Sequence, residues 1–157
     1  MTALNLGCGS KVFKQLEGCD CINIDIRELI GVDLICDVRK LPFDAESIAY
    51  ILADDIIEHF PLSETLSILR EWSRVLSKNG KIKIRTPNLN WICEHYVQNK
   101  NNEFTSLHIF GGQNYKENYH YVLFDKEFLS KFCKKAGLEV IQYREVDSNF
   151  ELTCKKT

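Results

Sequence analysis

Glycines and acidic residues follow four short apolar runs in the first part of the sequence. The runs span residues 3–6, 21–24, 32–36 and 48–53, and they are followed by Gly7-Cys8-Gly9, Asp25, Asp37 and Asp54, respectively. Glycines let a backbone approach a ligand closely, and a carboxylate can accept hydrogen bonds from both hydroxyls of a ribose. Because ligands of open α/β sheets bind outside the carboxyl ends of the strands, this spacing predicts a nucleoside site.

The glycine loop allows two other interpretations. A dinucleotide fingerprint requires a third glycine where Val12 stands, which disfavours a pyrophosphate cradle and hence a nicotinamide oxidoreductase. Alternatively, Gly7 and Gly9 only make a tight turn with positive φ. Asp25 and Asp37, at the ends of the next two runs, favour a ligand over a turn alone.

A second polar cluster follows the fourth run and contains Asp54, Asp55, Glu58 and His59. On a helical turn Asp55, Glu58 and His59 would share one face, because they are three and four positions apart. His59 or Asp54 is a candidate general base for an acceptor hydroxyl or amine, and the alternative is a structural role for His59. A divalent metal bound by this acid cluster is a third alternative.

The remaining runs and helical patterns predict an α/β fold in a single domain over residues 1–157. Ser63 and Asp125 are suited to cap two amphipathic helices, which Gly80 and Gly137 would end. Three further strands are predicted at residues 81–85, 138–143 and 150–154, the last two as an antiparallel hairpin. A short helix is expected at residues 11–16, between the first two strands.

Residues 88–123 interrupt the alternation of strands and helices. The segment is long, rich in aromatic side chains, and contains Gly111-Gly112 as a hinge. Loops of this length in compact domains are commonly functional, so we predict an insert that covers the acceptor site as a lid. Packing of the aromatic side chains on the edge of the sheet is the alternative.

The segment 4–88 resembles the core of class I S-adenosylmethionine-dependent methyltransferases, particularly their small type 11-like members. The matching motifs are Leu-Asn-Leu-Gly-Cys-Gly-Ser-Lys at 4–11, Asn-Ile-Asp-Ile at 23–26, Asp-Val-Arg-Lys-Leu-Pro-Phe at 37–43, Ile-Glu-His-Phe at 57–60 and Gly-Lys-Ile at 80–82. The resemblance implies a Rossmann-like, doubly wound sheet of seven strands in the order 3-2-1-4-5-7-6, with the last strand antiparallel. It also implies methyl transfer with S-adenosylmethionine as the cofactor.

The resemblance assigns roles to the cofactor-binding candidates. Gly7, Cys8 and Gly9 would lie under the methionine part, and Asp25, followed by Ile26, would bind the ribose hydroxyls. At the adenine, the resemblance places the Asp37 carboxylate and the backbone of Val38, while Asp54 would face the methionine end and the methyl group.

On the acceptor side, the resemblance places His120 near the substrate pocket. His120, His59 and Asp54 are therefore the catalytic candidates. One departure from the family is Asn5, which stands where an acid usually helps to orient the ammonium group of the cofactor. Asn5 and the short connection after it favour the alternative function, a non-catalytic cofactor-binding module or partner subunit.

Composition limits the partners and the compartment. A net charge of −2 provides no general attraction for nucleic acid, so a small-molecule acceptor is expected, and a homodimer or a partner subunit stays open. No apolar run approaches the length of a membrane span, and the first six residues lack the basic and apolar pattern of a signal peptide, so none is expected. The seven cysteines lack the spacing of a zinc site, so no metal is predicted and a reducing, cytoplasmic location is expected.

Overall fold

The computed structural model of the chain describes residues 1–157 and contains one mixed β-sheet with α-helices packed on it. The strands are β1 (Thr2–Leu6), β2 (Gln15–Leu16), β3 (Cys19–Asp25), β4 (Leu34–Ile35), β5 (Ile48–Asp54), β6 (Leu76–Pro87), β7 (Leu138–Val146) and β8 (Asn149–Lys156). The helices are α1 (Leu62–Val75), α2 (Leu89–Asn99), α3 (Asn102–Phe110) and α4 (Lys126–Lys135), with a 3₁₀ turn at Ile57–His59. None of these helices is long and apolar enough to cross a membrane.

The order of the strands confirms the predicted Rossmann-like topology. Strand β3 pairs with β1 on one side and with both β4 and β2 on the other, and β5, β6, β8 and β7 follow β1. With the two-residue strand β2 left aside, the order is the predicted 3-2-1-4-5-7-6. Strand β8 runs antiparallel to both of its neighbours, as expected for the last strand.

The core lies between the sheet and the helices α1 and α4. Because side chains alternate along a strand, Leu4 and Leu6 of β1 join this core, while Ala3 points to the opposite face. From α1, Trp72 is fully buried in the same core and donates its Nε1 hydrogen to the Val38 carbonyl at 3.0 Å. Helix α1 therefore positions the loop after β4, where two of the candidate site residues lie.

The ends of the helices agree with the sequence at α4 and differ at α1. Asp125 caps α4 by accepting from the Phe128 amide at 2.7 Å, and Gly137 follows the helix with φ of +77°, as expected. Helix α1 instead begins at Leu62, and its N-cap is Pro61 rather than Ser63. The helix ends at Val75 because Leu76 already has the extended backbone of β6.

The expected helix at residues 11–16 is absent, and residues 11–14 belong to no regular element. Strand β2 follows and folds back antiparallel on β3, so the connection between the parallel strands β1 and β3 is a loop and a small hairpin. A parallel pair usually requires a helical crossover. The backbone groups of this connection must therefore find other hydrogen-bond partners.

Two buried side-chain amides supply those partners. Asn5 and Asn23 face each other across the β1–β3 ladder, and Asn5 Nδ2 donates to Asn23 Oδ1 at 3.0 Å and to the Lys11 carbonyl at 2.7 Å. Asn23 accepts from the Phe13 amide at 2.9 Å and donates to the Phe13 carbonyl at 2.9 Å and to Asp33 Oδ2 at 2.8 Å. This amide pair holds the loop that follows the glycines.

We expect Asn5→Asp to lower the free energy of unfolding by about 1–3 kcal/mol, because a carboxylate cannot donate: the Lys11 carbonyl loses its donor, and the new carboxylate faces Asn23 Oδ1, which still accepts from the Phe13 amide. Urea unfolding of the two proteins measures the difference. Asn90→Asp is the matched control: Asn90 is exposed, and we expect a change within about 0.5 kcal/mol there. Equal stability of Asn5→Asp and the wild type would show that the amide pair does not hold the loop.

Candidate functional site

A cavity of about 460 Å³ opens at the carboxyl edge of the sheet. Its floor comes from the strand ends and from the turn after β5, and its roof comes from residues 115–121 of the insert. The lining includes Gly7, Asp25, Ile26, Arg27, Asp37, Val38, Asp55, His59, Phe60, Tyr115, Lys116 and Tyr121. The volume is in the range of about 300–1,000 Å³ that small-molecule sites have.

Asp25 lies at the end of β3 and is only 4% exposed. Its carboxylate accepts from the Gly9 amide at 2.9 Å, and from the Arg27 amide at 2.9 Å and Nε at 3.1 Å. Burial alone would raise the pKa of Asp25, but the hydrogen bonds from Arg27 and Gly9 outweigh it and lower that pKa. Asp25 is thus an ionised, oriented acceptor that joins the glycine loop to β3.

Asp37 repeats this arrangement after β4. Its carboxylate accepts from the Arg39 amide at 2.9 Å and from Arg39 Nη2 at 2.7 Å, and these hydrogen bonds lower its pKa. Arg39 also pairs with Glu64 at 3.1 Å. Sequence reasoning missed both arginines, although the repeated Asp-x-Arg pattern at two neighbouring strand ends was a visible signal for them.

The glycine loop passes beside the cavity. Gly7 has φ of +62°, and a Cβ there would overlap the Ile56 side chain, so both the turn and the close packing require glycine. The Cys8 amide donates to the Ile24 carbonyl at 2.9 Å. Burial and the nearby Asp25 raise the pKa of the Cys8 thiol to about 11, so the thiol stays neutral.

Asp54 lies between two cations. Its carboxylate accepts from Lys11 Nζ at 3.1 Å and from Arg85 Nη1 at 3.0 Å. Burial raises the pKa of Asp54, but the hydrogen bonds and charges of Arg85 and Lys11 outweigh it, and the net shift is downward. A carboxylate held in this way is a weak base, which favours an electrostatic role for Asp54 over proton abstraction.

The helical turn expected from Asp55 to His59 does not form. Asp55 has φ of +52°, and the 3₁₀ turn starts only at Ile57, so Asp55 does not share a helical face with Glu58 and His59. The Asp55 carboxylate accepts from Arg85 and from Asn149 Nδ2, the latter at 2.6 Å. Asp55 still lines the cavity.

His59 and His120 lie together, although they are 61 positions apart in the sequence, and their ring centroids are 4.9 Å apart. His59 Nδ1 is 3.0 Å from the Tyr119 carbonyl, and His120 Nδ1 is 2.8 Å from the His108 carbonyl. Because a carbonyl only accepts, each Nδ1 donates and each Nε2 keeps its lone pair. Burial lowers the pKa of both histidines, and for His59 the nearby His120 adds to this effect.

Glu58, which sequence reasoning treated only as part of the acid cluster, is fully buried beside the two histidines. Thr86 donates its hydroxyl to one carboxyl oxygen at 3.1 Å, and the other oxygen has no hydrogen-bond partner. Burial raises the pKa of Glu58 well above its usual range, and the negative charge of Asp55 contributes.

The structure brings most of the predicted site residues to one edge. Of the cofactor-binding candidates, those that line the cavity are Gly7, Asp25, Ile26, Asp37 and Val38, whereas Cys8, Gly9 and Asp54 lie beside it. Of the catalytic candidates, His59 lines the cavity, and His120 lies behind His59.

The insert 88–123 differs from the expected loop because it contains the helices α2 and α3. It reaches the cavity through Tyr115, whose ring lies 4.1 Å from the Arg27 guanidinium. The predicted hinge glycines lie just after α3, and Gly111 has φ of +80°.

A family profile described as "Methyltransferase domain" matches residues 4–84, which is more than half of the chain. No curated protein sequence matches the chain. The matched residues contain every strand-end acid of the cavity, while the roof and His120 lie outside them.

Solved structures share the fold at low sequence identity. A Methanosarcina mazei S-adenosylmethionine-dependent methyltransferase is 14% identical, with 99% of this chain and 92% of that chain covered and a TM-score of 0.66. The Burkholderia thailandensis 1,6-didemethyltoxoflavin-N1-methyltransferase, solved with bound 1,6-didemethyltoxoflavin and S-adenosylhomocysteine, is 13% identical, with 99% of this chain and 71% of that chain covered and a TM-score of 0.70. A Haloferax volcanii protein, solved in complex with a methyltransferase activator, is 13% identical, with 98% and 81% covered and a TM-score of 0.69.

The pKa of Asp25 leads to a prediction about stability at low pH. Because that pKa is lower in the folded chain than in the unfolded one, the ionised carboxylate stabilises the fold above pH about 4, and the effect is lost as the pH falls through the folded pKa. The difference in unfolding free energy between the wild type and Asp25→Asn should therefore be constant near neutral pH and shrink below pH about 4. Urea unfolding across this range measures it.

Arg27→Gln is the matched comparison, because Arg27 provides most of the hydrogen bonds that lower the Asp25 pKa. The low-pH change should be smaller in an Arg27→Gln background. If the wild type and the Asp25→Asn variant differed in stability by the same amount at every pH, the assigned ionisation of Asp25 would be contradicted.

Proposed function

The chain belongs to the methyltransferase-domain family, and on this premise we propose that its cavity binds S-adenosylmethionine through Asp25 and Asp37 and serves methyl transfer to a small polar acceptor. The chain is an S-adenosylmethionine-dependent methyltransferase, and the proposal concerns its residues and its acceptor. The proposal rests mainly on Asp25, a buried and ionised carboxylate in the cavity wall that accepts hydrogen bonds from Gly9 and Arg27.

The chemistry of the strand ends fits the nucleoside part of the cofactor. An ionised carboxylate only accepts hydrogen bonds, and both ribose hydroxyls can donate to Asp25. Ile26 is half exposed and Val38 is buried, and both line the cavity, so they offer apolar contacts to an adenine ring. Asp37 is the candidate acceptor for the adenine amino group.

The charges beside the glycine loop fit the amino-acid part of the cofactor. Lys11 and Asp54 form an ion pair at 3.1 Å, and the Lys11 side chain is 69% exposed. An α-carboxylate would be attracted to Lys11, and an ammonium group to Asp54. In this proposal Asp54 supplies the negative charge that Asn5 does not.

When bound, S-adenosylmethionine supplies an electrophilic methyl group on a sulfonium centre. The chain's own contribution is to orient the acceptor and to exclude water, which can account for much of the rate of such a displacement. His59 lines the cavity, and His120 packs against His59. In this proposal the methyl acceptor binds at the end of the cavity where these two imidazoles lie. Asp54 carries charge for the cofactor rather than acting as a base.

A small acceptor is supported by the cavity and its roof. Tyr115 and Tyr121 of the insert line the cavity, so we propose that the insert is the lid and specificity surface. The net charge of −2 provides no general attraction for nucleic acid.

All seven cysteines are unpaired, which supports a reducing compartment and hence the cytoplasm.

A non-catalytic module or partner subunit is the alternative, and Asn5 is one of its main supports. Asn5 has a structural reason for being an amide, since it donates to two oxygens. The short connection after it is likewise stabilised by the amide pair. A structural role therefore accounts for Asn5 and for the short connection, and neither departure requires a loss of methyltransferase activity.

Asp25→Ala should weaken the binding of S-adenosylhomocysteine by at least about 10-fold, since one hydrogen bond to a charged group contributes about 1.5 kcal/mol or more. Calorimetric titration of both proteins measures the dissociation constants. Asp44→Ala is the matched control, because Asp44 is exposed and outside the cavity, and its affinity should be unchanged. Unchanged affinity of Asp25→Ala would reject Asp25 as the ribose ligand.

Lys11→Met should weaken the binding of S-adenosylhomocysteine by about 10-fold through loss of one charge-assisted contact. The same variant should bind 5′-methylthioadenosine as the wild type does, because that nucleoside lacks the amino-acid part. Calorimetry with the two ligands separates the ends of the site. If both ligands lose affinity equally, Lys11 acts through the loop and not on the carboxylate.

A further inference from the structure

Three metal-ligating side chains meet at the proposed acceptor end of the cavity: two come from the acid cluster after β5, and His120 comes from the insert. One nitrogen or oxygen atom each of Glu58, His59 and His120 lies within 4.8 Å of the other two. Glu58 is fully buried and the histidines are partly buried. We propose that this Glu58–His59–His120 cluster binds a divalent first-row transition-metal ion that holds an oxygen or nitrogen atom of the methyl acceptor.

The histidines are oriented as metal ligands usually are. Each Nδ1 donates to a main-chain carbonyl, that of Tyr119 for His59 and that of His108 for His120. Metal-bound histidines almost always donate their other ring hydrogen to such an acceptor, which fixes the tautomer and the ring orientation. With each Nδ1 acting as the donor, the Nε2 lone pairs are the ones that can bind a metal ion.

Glu58 supplies the independent observation. Its side chain is completely buried, and one carboxyl oxygen has no hydrogen-bond partner. An unpaired buried polar atom is costly, so such an atom calls for a partner that the chain itself does not provide. Arg85 pairs with Asp54 and Asp55 instead, and none of the ion pairs of the chain includes Glu58.

The ligand set indicates the class of ion. Two neutral imidazoles and one carboxylate suit Zn²⁺, Fe²⁺, Co²⁺ or Mn²⁺, whereas Mg²⁺ and Ca²⁺ prefer sites made of oxygen atoms. Ligand bonds of about 2.0–2.2 Å require the three atoms to move closer together, which small side-chain rotations can achieve. Three protein ligands leave a coordination position open for a water or a substrate atom, as catalytic sites do.

The open coordination position would face the cavity, because His59 lines the cavity whereas His120 and Glu58 do not. An acceptor atom that enters from the cavity would therefore meet the ion on the side of His59. This inference rests on the proposed function for the identity of the acceptor, but metal binding itself does not depend on it.

Titration of the reduced full-length protein with Co²⁺ tests the proposal, because d–d absorption reports a bound ion. All proteins carry Cys93→Ser, which removes the exposed thiol, and a thiolate charge-transfer band would reveal binding by another cysteine. We expect one Co²⁺ per chain, displaced by Zn²⁺ and bound at least about 100-fold more weakly by His120→Ala and by Glu58→Gln. His95→Gln, which changes a histidine outside the cluster, should bind as the parent does.

Two outcomes would overturn the proposal: no d–d absorption with the parent protein, or equal affinity in the parent and in both cluster variants. Glu58→Gln preserves the size of the side chain, so a folded variant is available even if His120→Ala unfolds. Calorimetry with S-adenosylhomocysteine on the same proteins keeps the two hypotheses apart. Cofactor binding without Co²⁺ binding rejects the metal site alone, and the reverse result rejects the cofactor assignment alone.

Discussion

The buried amide pair Asn5–Asn23 is the interaction on which the site depends. Strands β1 and β3 are parallel neighbours, yet no helix connects them, and residues 11–14 of the connection belong to no regular element. The two amides provide hydrogen-bond partners for this loop, and they can do so because an amide both donates and accepts. With the loop held in place, the Gly9 amide donates to the Asp25 carboxylate at 2.9 Å, which joins the glycine turn to the end of β3.

Along the same edge of the sheet, the acidic side chains pair with arginines, with one exception. Asp25, Asp37 and Asp54 each accept from an arginine, so these acids stay ionised although they lie at or near a cavity wall. A ligand hydroxyl or ammonium group can then compete with a guanidinium for an acceptor that is already oriented, which limits the reorganisation that binding requires. Glu58 is the exception, since it is the most buried acid and has no cation of its own.

The sequence predicted what local patterns determine. Apolar runs that end in glycine or aspartate located the strand ends, and the Asp125 cap located α4, because these signals lie within a few residues of the elements they define. The helices α2 and α3 were missed because they bury almost nothing: Ile92 is the only buried residue of α2, and α3 has none, so neither shows an apolar period. The meeting of His59 with His120 joins distant segments and could not be read from spacing.

Main-chain hydrogen bonds join the insert to the turn after β5, at the proposed acceptor end of the cavity. The Tyr121 amide donates to the Glu58 carbonyl at 2.8 Å, and His59 donates to the Tyr119 carbonyl. Arg27 joins the same insert to the end of β3, because its guanidinium contacts both Asp25 and the Tyr115 ring. A ligand hydroxyl that displaces Arg27 from Asp25 would therefore also alter the contact between Arg27 and Tyr115 of the roof. The matched family region ends at residue 84, so His59 lies inside it, whereas His120 and the roof residues 115–121 lie outside it.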